Sequence, residues 1–338
     1  MERMHAPAPK RPRLSALVPC YNEQETLAEL HRRLGAACAD AAGADYEIVL
    51  VNDGSRDATW PAMVDLARRD PRVVAVNLAR NFGKELALSA GLATVKGERV
   101  LIIDADLQDP PELVKEMMAK MDAGADVVYG LRPDREGESW PKRASSAAFY
   151  RVLGWLVDIH IPADTGDFRL MNRRVVDVLL AMPETHRYMR GLVSWVGMRQ
   201  EPLPYRRPPR HSGKTKFTPG KLVALAFDAV SAFSIRPLRL ASYLGFIAGL
   251  GALLLLVYVL WSWLAGVAIE GWTSLMLVVL LLNSAQLIVI GIMGEYLGRT
   301  YLETKRRPLY VVQSVVRDAG AETAPSLAAP ADAPGTRA

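Results

Sequence analysis

The sequence predicts an α/β domain with a mostly parallel sheet, followed by an amphipathic helix at a membrane surface and two membrane-spanning helices. Three observations support this prediction. Short apolar runs rich in Val and Ile alternate with helical patterns across residues 13–205. Two long uncharged apolar runs follow within residues 238–297. Basic residues cluster beside those runs, at Arg206–Lys221 and Arg299–Arg307, which indicates a membrane surface as a partner.

The chain begins with a polar, Pro-rich stretch, residues 1–12, which we expect to be a disordered leader because no apolar segment of a signal peptide follows it. The formal net charge of +5 is too small to favour a nucleic-acid partner. Cys20 and Cys38 have no metal-binding spacing, so they are predicted to be reduced, buried thiols.

Five apolar runs predict the strands of a domain that spans residues 13–217. They read LSALVP, YEIVLVND, RVVAVNL, RVLIIDAD and DVVYGLR. Most are almost continuously apolar, as parallel strands buried on both faces are. Helical patterns lie between them at Glu23–Ala39, Thr59–Arg68, Lys84–Val95 and Glu112–Ala123. Asn22, with Glu25 three residues later, resembles a capping box and predicts that the first helix begins there.

The membrane part is predicted from length and charge. Ala241–Ile269 and Gly271–Gly294 contain no charged residue, and each exceeds the roughly 20 residues that cross a bilayer. We place the two spans at about 240–264 and 272–295. The connection between them has no Lys or Arg, whereas both outer flanks are basic, which predicts that both termini are cytoplasmic.

Segments on either side of the spans complete the predicted organisation. Residues 218–237 are interpreted as a juxtamembrane helix, because the apolar residues of Lys221–Phe233 fall on one helical face. Residues 298–317 are a cytosolic C-terminal segment, in which Pro308–Val316 is predicted to form a short strand. The Ala/Pro-rich residues 318–338 are a disordered tail.

Acidic clusters follow three of the predicted strands, in PCYNEQE, NDGSRD and DADLQD. Ligands of open α/β sheets bind beyond the carboxyl ends of the strands, so these clusters are expected to converge. Carboxylates as close as Asp104 and Asp106 repel each other, and a divalent cation relieves the repulsion. Mg²⁺ uses one or two carboxylates and completes its shell with phosphate oxygens and water. The cluster therefore predicts a metal–diphosphate ligand.

Two structural alternatives stand beside this interpretation. Acidic residues at a helix N-terminus account for Asp109 and Glu112, although not for Asp104 and Asp106, which precede the helix. Asp53 fits an Asp-Gly turn as well as a ligand for a base or ribose. The sequence has neither a dinucleotide fingerprint nor a P-loop, so a nucleotide must be held in another way.

Five motifs in order, VPCYNEQE, VNDGSRDAT, NFGKELAL, DADLQDPPE and TGDFRLMNRR, resemble glycosyltransferase family 2, whose fold is the Rossmann-like GT-A fold. From about residue 13 to 317 the chain is similar to the polyprenyl-phosphate branch, which includes dolichol-phosphate mannose synthases and the bactoprenol glucosyltransferases of O-antigen modification. RNFGKE, GDFRLM, GLVSWVG and GEYLGRTYLETKRRPLY together resemble the bactoprenol enzymes. No Q-x-x-R-W motif of processive synthases is present, which argues against polymerisation.

The resemblance implies roles for individual residues. The nucleotide would be bound by Pro19, Tyr21, Glu23, Asp53, Lys84, Asp104 and Asp106. The metal, Mg²⁺ or Mn²⁺, would be bound by Asp106, Gln108 and Asp104. The catalytic residues would be Asp167, which matches the proposed base, and Asp104. The acceptor phosphate would be bound by one or more of Arg210, Arg207, Lys214 and Arg169, with Arg206 and Lys216 competing for that role.

The implied reaction is inverting transfer of a sugar, first of all glucose, from a UDP-sugar to undecaprenyl phosphate at the cytoplasmic face of a bacterial inner membrane. The acceptor phosphate has a second pKa near ~6 and hardly needs deprotonation, so we expect Asp167 to position the acceptor or support the sugar. GDP-mannose, UDP-GlcNAc and a UDP-aminoarabinose derivative stay open as donors, and a catalytically silent membrane scaffold is the alternative of another class. The resemblance also implies a homo-tetramer.

Overall fold

The computed structural model describes residues 11–131, 165–205, 234–266, 271–317 and 321–323. They belong to two compact units. The first contains residues 11–131, 165–205, 308–317 and 321–323, and the second contains residues 234–266 and 271–307. Most of the predicted leader, of the amphipathic helix and of the tail, together with the candidate phosphate ligands of residues 206–216, lies outside the described residues. Within the tail, Ala321–Thr323 form a strand that pairs with the strand before it, so the prediction of disorder was wrong for these three residues.

The first unit is built on one sheet whose strands run in the order β7-β5-β6-β4-β1-β2-β3-β8-β9. The strands are β1 Leu14–Cys20, β2 Tyr46–Asn52, β3 Val73–Leu78, β4 Arg99–Ile102, β5 Val127–Leu131, β6 Thr165–Asn172, β7 Gln200–Pro204, β8 Val312–Arg317 and β9 Ala321–Thr323. Its helices are α1 Leu27–Ala42, α2 Thr59–Arg69, α3 Lys84–Thr94, α4 Val114–Asp122, α5 Arg173–Ala181 and α6 Met189–Val196.

The centre of this sheet confirms the predicted α/β class. The strands β4, β1, β2 and β3 pair in parallel, each joined to the next in sequence by a helix. The flanks make the sheet mixed, because β6 pairs antiparallel with both β4 and β5, and β8 pairs antiparallel with β3. Neither β6 nor β8 belongs to the strand–helix alternation from which the parallel sheet was predicted.

The core lies on both faces of the central strands. Leu14, Ala16 and Val18 of β1 join the side chains of α1, α2 and α4 in one apolar cluster. Leu17 points to the other face, where α3 packs against β1. A Cβ atom at Gly91 of α3 would lie 2.0 Å from Leu17 Cδ1, so a larger residue there would displace the Leu17 side chain. The packing on both faces fixes the strand ends that carry the polar motifs.

The first helix starts later than the capping-box pattern predicts. It begins at Leu27 rather than Glu23. Asn22 adopts a left-handed backbone conformation with φ 55°. Its side-chain Oδ1 accepts a hydrogen bond from Arg56 N at 2.8 Å. The prediction was wrong at this boundary because Asn22 contacts a neighbouring loop instead of capping its own helix.

The second unit contains two long apolar helices, α7 Arg236–Leu264 and α8 Trp272–Thr304. Both are long and apolar enough to cross a membrane, over Arg236–Ser262 with mean hydropathy 2.4 and Val278–Thr304 with mean hydropathy 1.8. The two helices pack against each other. Tyr296 Oη donates a hydrogen bond to Ser234 O at 2.6 Å, which joins α8 to the segment just before α7.

Candidate active site

An open cavity of about 300 Å³ lies at the carboxyl ends of β1, β2 and β4, beside the start of α3. It is lined by Pro19, Cys20, Tyr21, Glu23, Asp53, Asn81, Gly83, Lys84, Asp104, Ala105 and Asp106. The cavity therefore brings together all the residues to which the resemblance gives a nucleotide-binding role. The strand-end rule explains this, because parallel strands present their carboxyl ends on one edge of a sheet.

The antiparallel pairing of β6 with β4 adds Asp167 to this edge. Ile102 of β4 is the partner of Arg169 in β6. If this register continues for two residues, Asp104 and Asp167 are opposite each other on one face. Sequence patterning did not predict β6, since it follows no strand–helix repeat.

Lys84 joins the two carboxylates. Its Nζ lies 2.6 Å from Asp104 Oδ1 and 2.6 Å from Asp167 Oδ2. Arg190, in the first turn of α6, binds Asp167 from another direction, with Nε 2.7 Å from Oδ1 and Nη2 3.2 Å from Oδ2. Asp167 is buried, with 3% of its side chain exposed. The two cations stabilise its negative charge, which would otherwise be costly to bury.

The network sets the protonation states. Burial alone would raise the pKa of Asp167, but the charges of Lys84 and Arg190 hold that pKa well below its usual range. Burial lowers the pKa of Lys84, yet Asp167 and Asp104 more than reverse this and raise it above its ordinary value. Burial also raises the pKa of Asp104, against the charge of Lys84. At neutral pH, Asp167 is therefore ionised and Lys84 is protonated.

Asp53 lines the cavity and also binds the loop that precedes Lys84. Its carboxylate accepts hydrogen bonds from Phe82 N at 2.7 Å and Gly83 N at 3.0 Å. Burial raises the pKa of Asp53, and the two backbone bonds oppose that rise. Gly54 follows with φ +62°. The left-handed backbone of Gly54 agrees with the structural alternative, but the Asp53 carboxylate holds the 80–83 loop rather than a neighbour in its own turn.

A second set of contacts clamps the two motif loops together. Asn22 N donates to Ser55 Oγ at 3.0 Å, and Glu23 N donates to Thr59 Oγ1 at 2.9 Å. In return, Ala58 N donates to Gln24 Oε1 at 2.9 Å. Several polar residues of the motifs therefore hold the cavity wall in shape rather than face its interior.

The residues assigned to the metal lie on one tight turn. Gln108 N donates to Asp106 Oδ1 at 3.1 Å, and the intervening Leu107 has φ 57°. Gln108 is 4% exposed, and its side-chain Nε2 has no hydrogen-bond partner among the described residues. The described part of the chain contains no group of three or more His, Cys, Asp or Glu side chains that would hold a metal alone. The arrangement fits a cation that takes one or two carboxylates and completes its shell with phosphate oxygens.

Of the four residues expected to bind the acceptor phosphate, Arg169 alone lies in the described part of the chain. Arg169 is 4% exposed, and its Nη2 donates to Gly166 O at 3.0 Å, while burial lowers its pKa. A guanidinium so enclosed is poorly placed to reach an incoming lipid phosphate. Arg207, Arg210 and Lys214 lie outside the described residues.

Two charged residues of the network were missed in the sequence. Arg190 directly precedes the motif GLVSWVG, but it was given no role because its helix α6 was not predicted. Glu85 is adjacent to Lys84 in RNFGKE and had that signal. Its Oε2 accepts a hydrogen bond from Met189 N at 2.9 Å, which ties α3 to the start of α6. Burial and the charge of Asp167 raise the pKa of Glu85 to about 7.

Comparisons with known proteins agree with the motifs. The model of glycosyl transferase family 2 matches residues 15–180. The chain is 44% identical over 303 residues to sll0501 of Synechocystis sp., called an uncharacterized glycosyltransferase, with 89% of this chain and 95% of that protein covered. It is 39% identical over 307 residues to the prophage bactoprenol glucosyl transferase homolog of Escherichia coli K12, covering 90% and 99%. The bactoprenol glucosyl transferase of Shigella phage SfX is 39% identical over 303 residues, covering 89% and 99%.

Proposed function

The chain belongs to glycosyl transferase family 2, and from this premise we propose that it transfers glucose from UDP-glucose to undecaprenyl phosphate, with inversion at the anomeric carbon. The observation that carries the proposal is the 39% identity, over nearly the whole chain, to proteins named bactoprenol glucosyl transferase. Bactoprenol is a polyprenyl alcohol, so its phosphate is the expected acceptor. The acidic cavity with Lys84 at its wall supports a nucleoside-diphosphate sugar as the donor.

A divalent cation, Mg²⁺ or Mn²⁺, would be held by Asp106 and Gln108. Asp104 would be a further ligand through Oδ2, because its contact with Lys84 uses Oδ1. When bound, such a cation supplies Lewis-acid stabilisation of the charge that develops on the leaving diphosphate. Lys84 adds a fixed positive charge at the same wall of the cavity, because its Nζ is held by two carboxylates and stays protonated.

In the transfer step, an oxygen of the acceptor phosphate attacks the anomeric carbon and forms the new C–O bond. The bond from that carbon to the β-phosphate oxygen of UDP breaks, and its electron pair leaves with UDP. The acceptor is largely ionised at neutral pH, so no proton has to be removed. Asp167 is a poor base, because Lys84 and Arg190 hold its pKa far below neutrality. We assign it the role of positioning these two cations.

The membrane has a direct place in the proposal, since the acceptor is a lipid. The helices α7 and α8 would span the bilayer of the bacterial inner membrane, with both termini and the catalytic unit on the cytoplasmic side. The basic residues of 206–216 and 299–307 would meet the anionic headgroups. Homo-oligomerisation to a tetramer stays a prediction from the family resemblance.

A donor screen tests the proposal. Purified full-length protein would be incubated with undecaprenyl phosphate, Mg²⁺ or Mn²⁺, and separately with UDP-glucose, UDP-GlcNAc, GDP-mannose and a UDP-aminoarabinose derivative. Mass spectrometry of the lipid should detect a hexosyl adduct with UDP-glucose and none in chelator. A product with another donor only would replace the sugar, and no product with any donor would support the silent scaffold.

A further inference from the structure

The guanidinium of Arg190 has unused hydrogen-bonding capacity. Asp167 engages its Nε and Nη2 side-on, at 2.7 Å and 3.2 Å. A guanidinium carries five N–H donors in a rigid plane. Among the described residues, Nη1 of Arg190 has no hydrogen-bond partner, and 33% of the side chain is exposed. Arg190 can therefore bind a second oxyanion without releasing the first.

The position of Arg190 separates it from the donor cavity. Lys84 lines that cavity, whereas Arg190 does not. The two cations nevertheless contact the same oxygen, Asp167 Oδ2, at 2.6 Å and 3.2 Å. Asp167 thus joins a cation at the cavity wall to a second cation outside that wall.

The proposed reaction needs two oxyanion sites next to each other. The donor diphosphate and the acceptor phosphate are both negatively charged, so they repel each other unless cations separate them. Among the described residues, Lys84 forms ion pairs with two carboxylates, Asp104 and Asp167, whereas Arg190 forms an ion pair with one, Asp167. Arg190 therefore has the larger share of its charge left for an incoming anion, and the planar fork of arginine suits a phosphate.

The local structure also holds Arg190 in place. Arg190 is in the first turn of α6, next to Met189, whose backbone N–H donates to Glu85 Oε2 at 2.9 Å. Glu85 is the neighbour of Lys84 at the start of α3. Lys84 and Arg190 therefore lie at the starts of two helices that are joined by a hydrogen bond. This bond favours a fixed distance between the two cations.

From this arrangement we propose that Arg190 binds the phosphate of the lipid acceptor, with Lys84 at the donor diphosphate and Asp167 as the anchor that both cations share. The inference rests on the proposed function, because it names the residue that receives the acceptor of that reaction. It gives the acceptor phosphate a ligand within the catalytic unit, in addition to the basic segment that precedes α7.

The test compares Arg190→Lys with wild type in detergent, using undecaprenyl phosphate and UDP-glucose. The substitution keeps the charge but removes the fork, so we expect the KM for undecaprenyl phosphate to rise about tenfold or more, as losing a charged hydrogen bond does. The KM for UDP-glucose and the UDP affinity by calorimetry should stay within about twofold. Arg199→Lys is the matched control, because Arg199 is an exposed arginine paired with Glu201 away from the site.

A second measurement uses the wild-type protein and so does not depend on how a variant folds. Phenylglyoxal modifies exposed arginines, and mass spectrometry would follow the extent of modification at Arg190. We expect undecaprenyl phosphate to protect Arg190 and UDP with Mg²⁺ to leave it reactive. Protection by UDP alone, or an unchanged acceptor KM in Arg190→Lys, would overturn the inference. If wild type makes no lipid-linked sugar from any donor, the proposed function itself fails.

Discussion

Lys84 Nζ lies 2.6 Å from Asp167 Oδ2, although 83 positions separate these residues in the chain. The contact connects the start of α3 to the start of β6 across the edge of the sheet where the strand-end motifs meet. Because Asp167 is buried and ionised, the pair holds one cation in a fixed place. The motifs NFGKELAL and TGDFRLMNRR, which carry these two residues, therefore hold each other's charged side chain in position.

Replacing Asp167 by Asn leaves Lys84 and Arg190 without their shared anion. Breaking a fully buried ion pair costs about 3–5 kcal/mol. Lys84 and Arg190 are partly exposed, so water compensates part of this cost. We therefore expect the free energy of unfolding to fall by about 3 kcal/mol or less. Misplacement of two phosphate-binding groups should lower kcat by about 100-fold. Thermal unfolding and initial rates check both effects.

The control for this substitution is Asp177→Asn. Asp177 forms an exposed pair with Arg173 at 2.7 Å on α5, and such pairs contribute at most about 0.5 kcal/mol. Wild-type rates in Asp167→Asn would contradict the positioning role. A rate loss that a rise in pH restores would instead indicate a proton acceptor.

The sequence predicted the parallel part of the fold and the residues at its strand ends, because both follow from local patterns. Hydrophobic runs mark the strands, and the carboxyl-end rule brings Asp53, Asp104 and Asp106 to one cavity. The sequence could not predict that Arg190 pairs with Asp167, since this contact depends on where α6 packs against α3 and β6. Asn22 shows the same limit, because a capping pattern describes only neighbours along the chain, whereas its hydrogen bonds go to residues 55 and 56.

Gly54→Ala should destabilise the 80–83 loop beside the cavity. A Cβ at this position would lie 2.4 Å from both Arg80 C and Asn81 N, which are backbone atoms that cannot rotate away. Overpacking added to the left-handed backbone is expected to cost about 3 kcal/mol and to weaken UDP binding. Thermal unfolding and UDP calorimetry measure these two quantities.

Gly43→Ala separates backbone strain from crowding. Gly43 has φ +67°, close to that of Gly54, but a Cβ there would meet nothing within 4 Å. Gly43 has ψ −132°, a backbone conformation that glycine adopts far more readily than alanine, so the expected cost is about 1–3 kcal/mol, with UDP affinity unchanged. An equal loss of UDP affinity in the two variants would mean that the close approach of the 80–83 loop does not constrain position 54.

Asp106→Asn tests the metal assignment. If Asp106 holds the cation that meets the diphosphate, wild-type affinity for UDP should fall about tenfold or more when Mg²⁺ is removed. The variant should bind UDP weakly with or without Mg²⁺. Asp122→Asn, which alters an exposed carboxylate paired with Arg99, should behave as wild type. An equal Mg²⁺ dependence in Asp106→Asn and wild type would exclude Asp106 as a ligand.

Glu85→Gln tests the pH dependence of stability. Burial and the charge of Asp167 raise the pKa of Glu85 to about 7 from its ordinary value of 4.5. The folded protein thus binds the proton more tightly than the unfolded chain, so this contribution to stability is full below pH 4.5 and is lost as the pH rises through about 7. Gln keeps an oxygen that can accept from Met189 N and does not titrate. The Tm of wild type should fall relative to that of Glu85→Gln between pH 5 and 8, and parallel curves would contradict the raised pKa.

Strand β8 covers the edge of β3 next to the 80–83 loop. β8 pairs with β3, Ala79 N donates to Val311 O at 2.9 Å, and Val316 is 4% exposed. A chain that ends at Arg307 would lose this pairing, expose the edge of β3 and release the backbone just before the 80–83 loop. We expect it to lose UDP binding by calorimetry and to be digested rapidly by protease. A chain that ends at Thr323 keeps β8 and β9 and should bind UDP as wild type does. Wild-type affinity in the shorter chain would show that the central strands hold the cavity without β8.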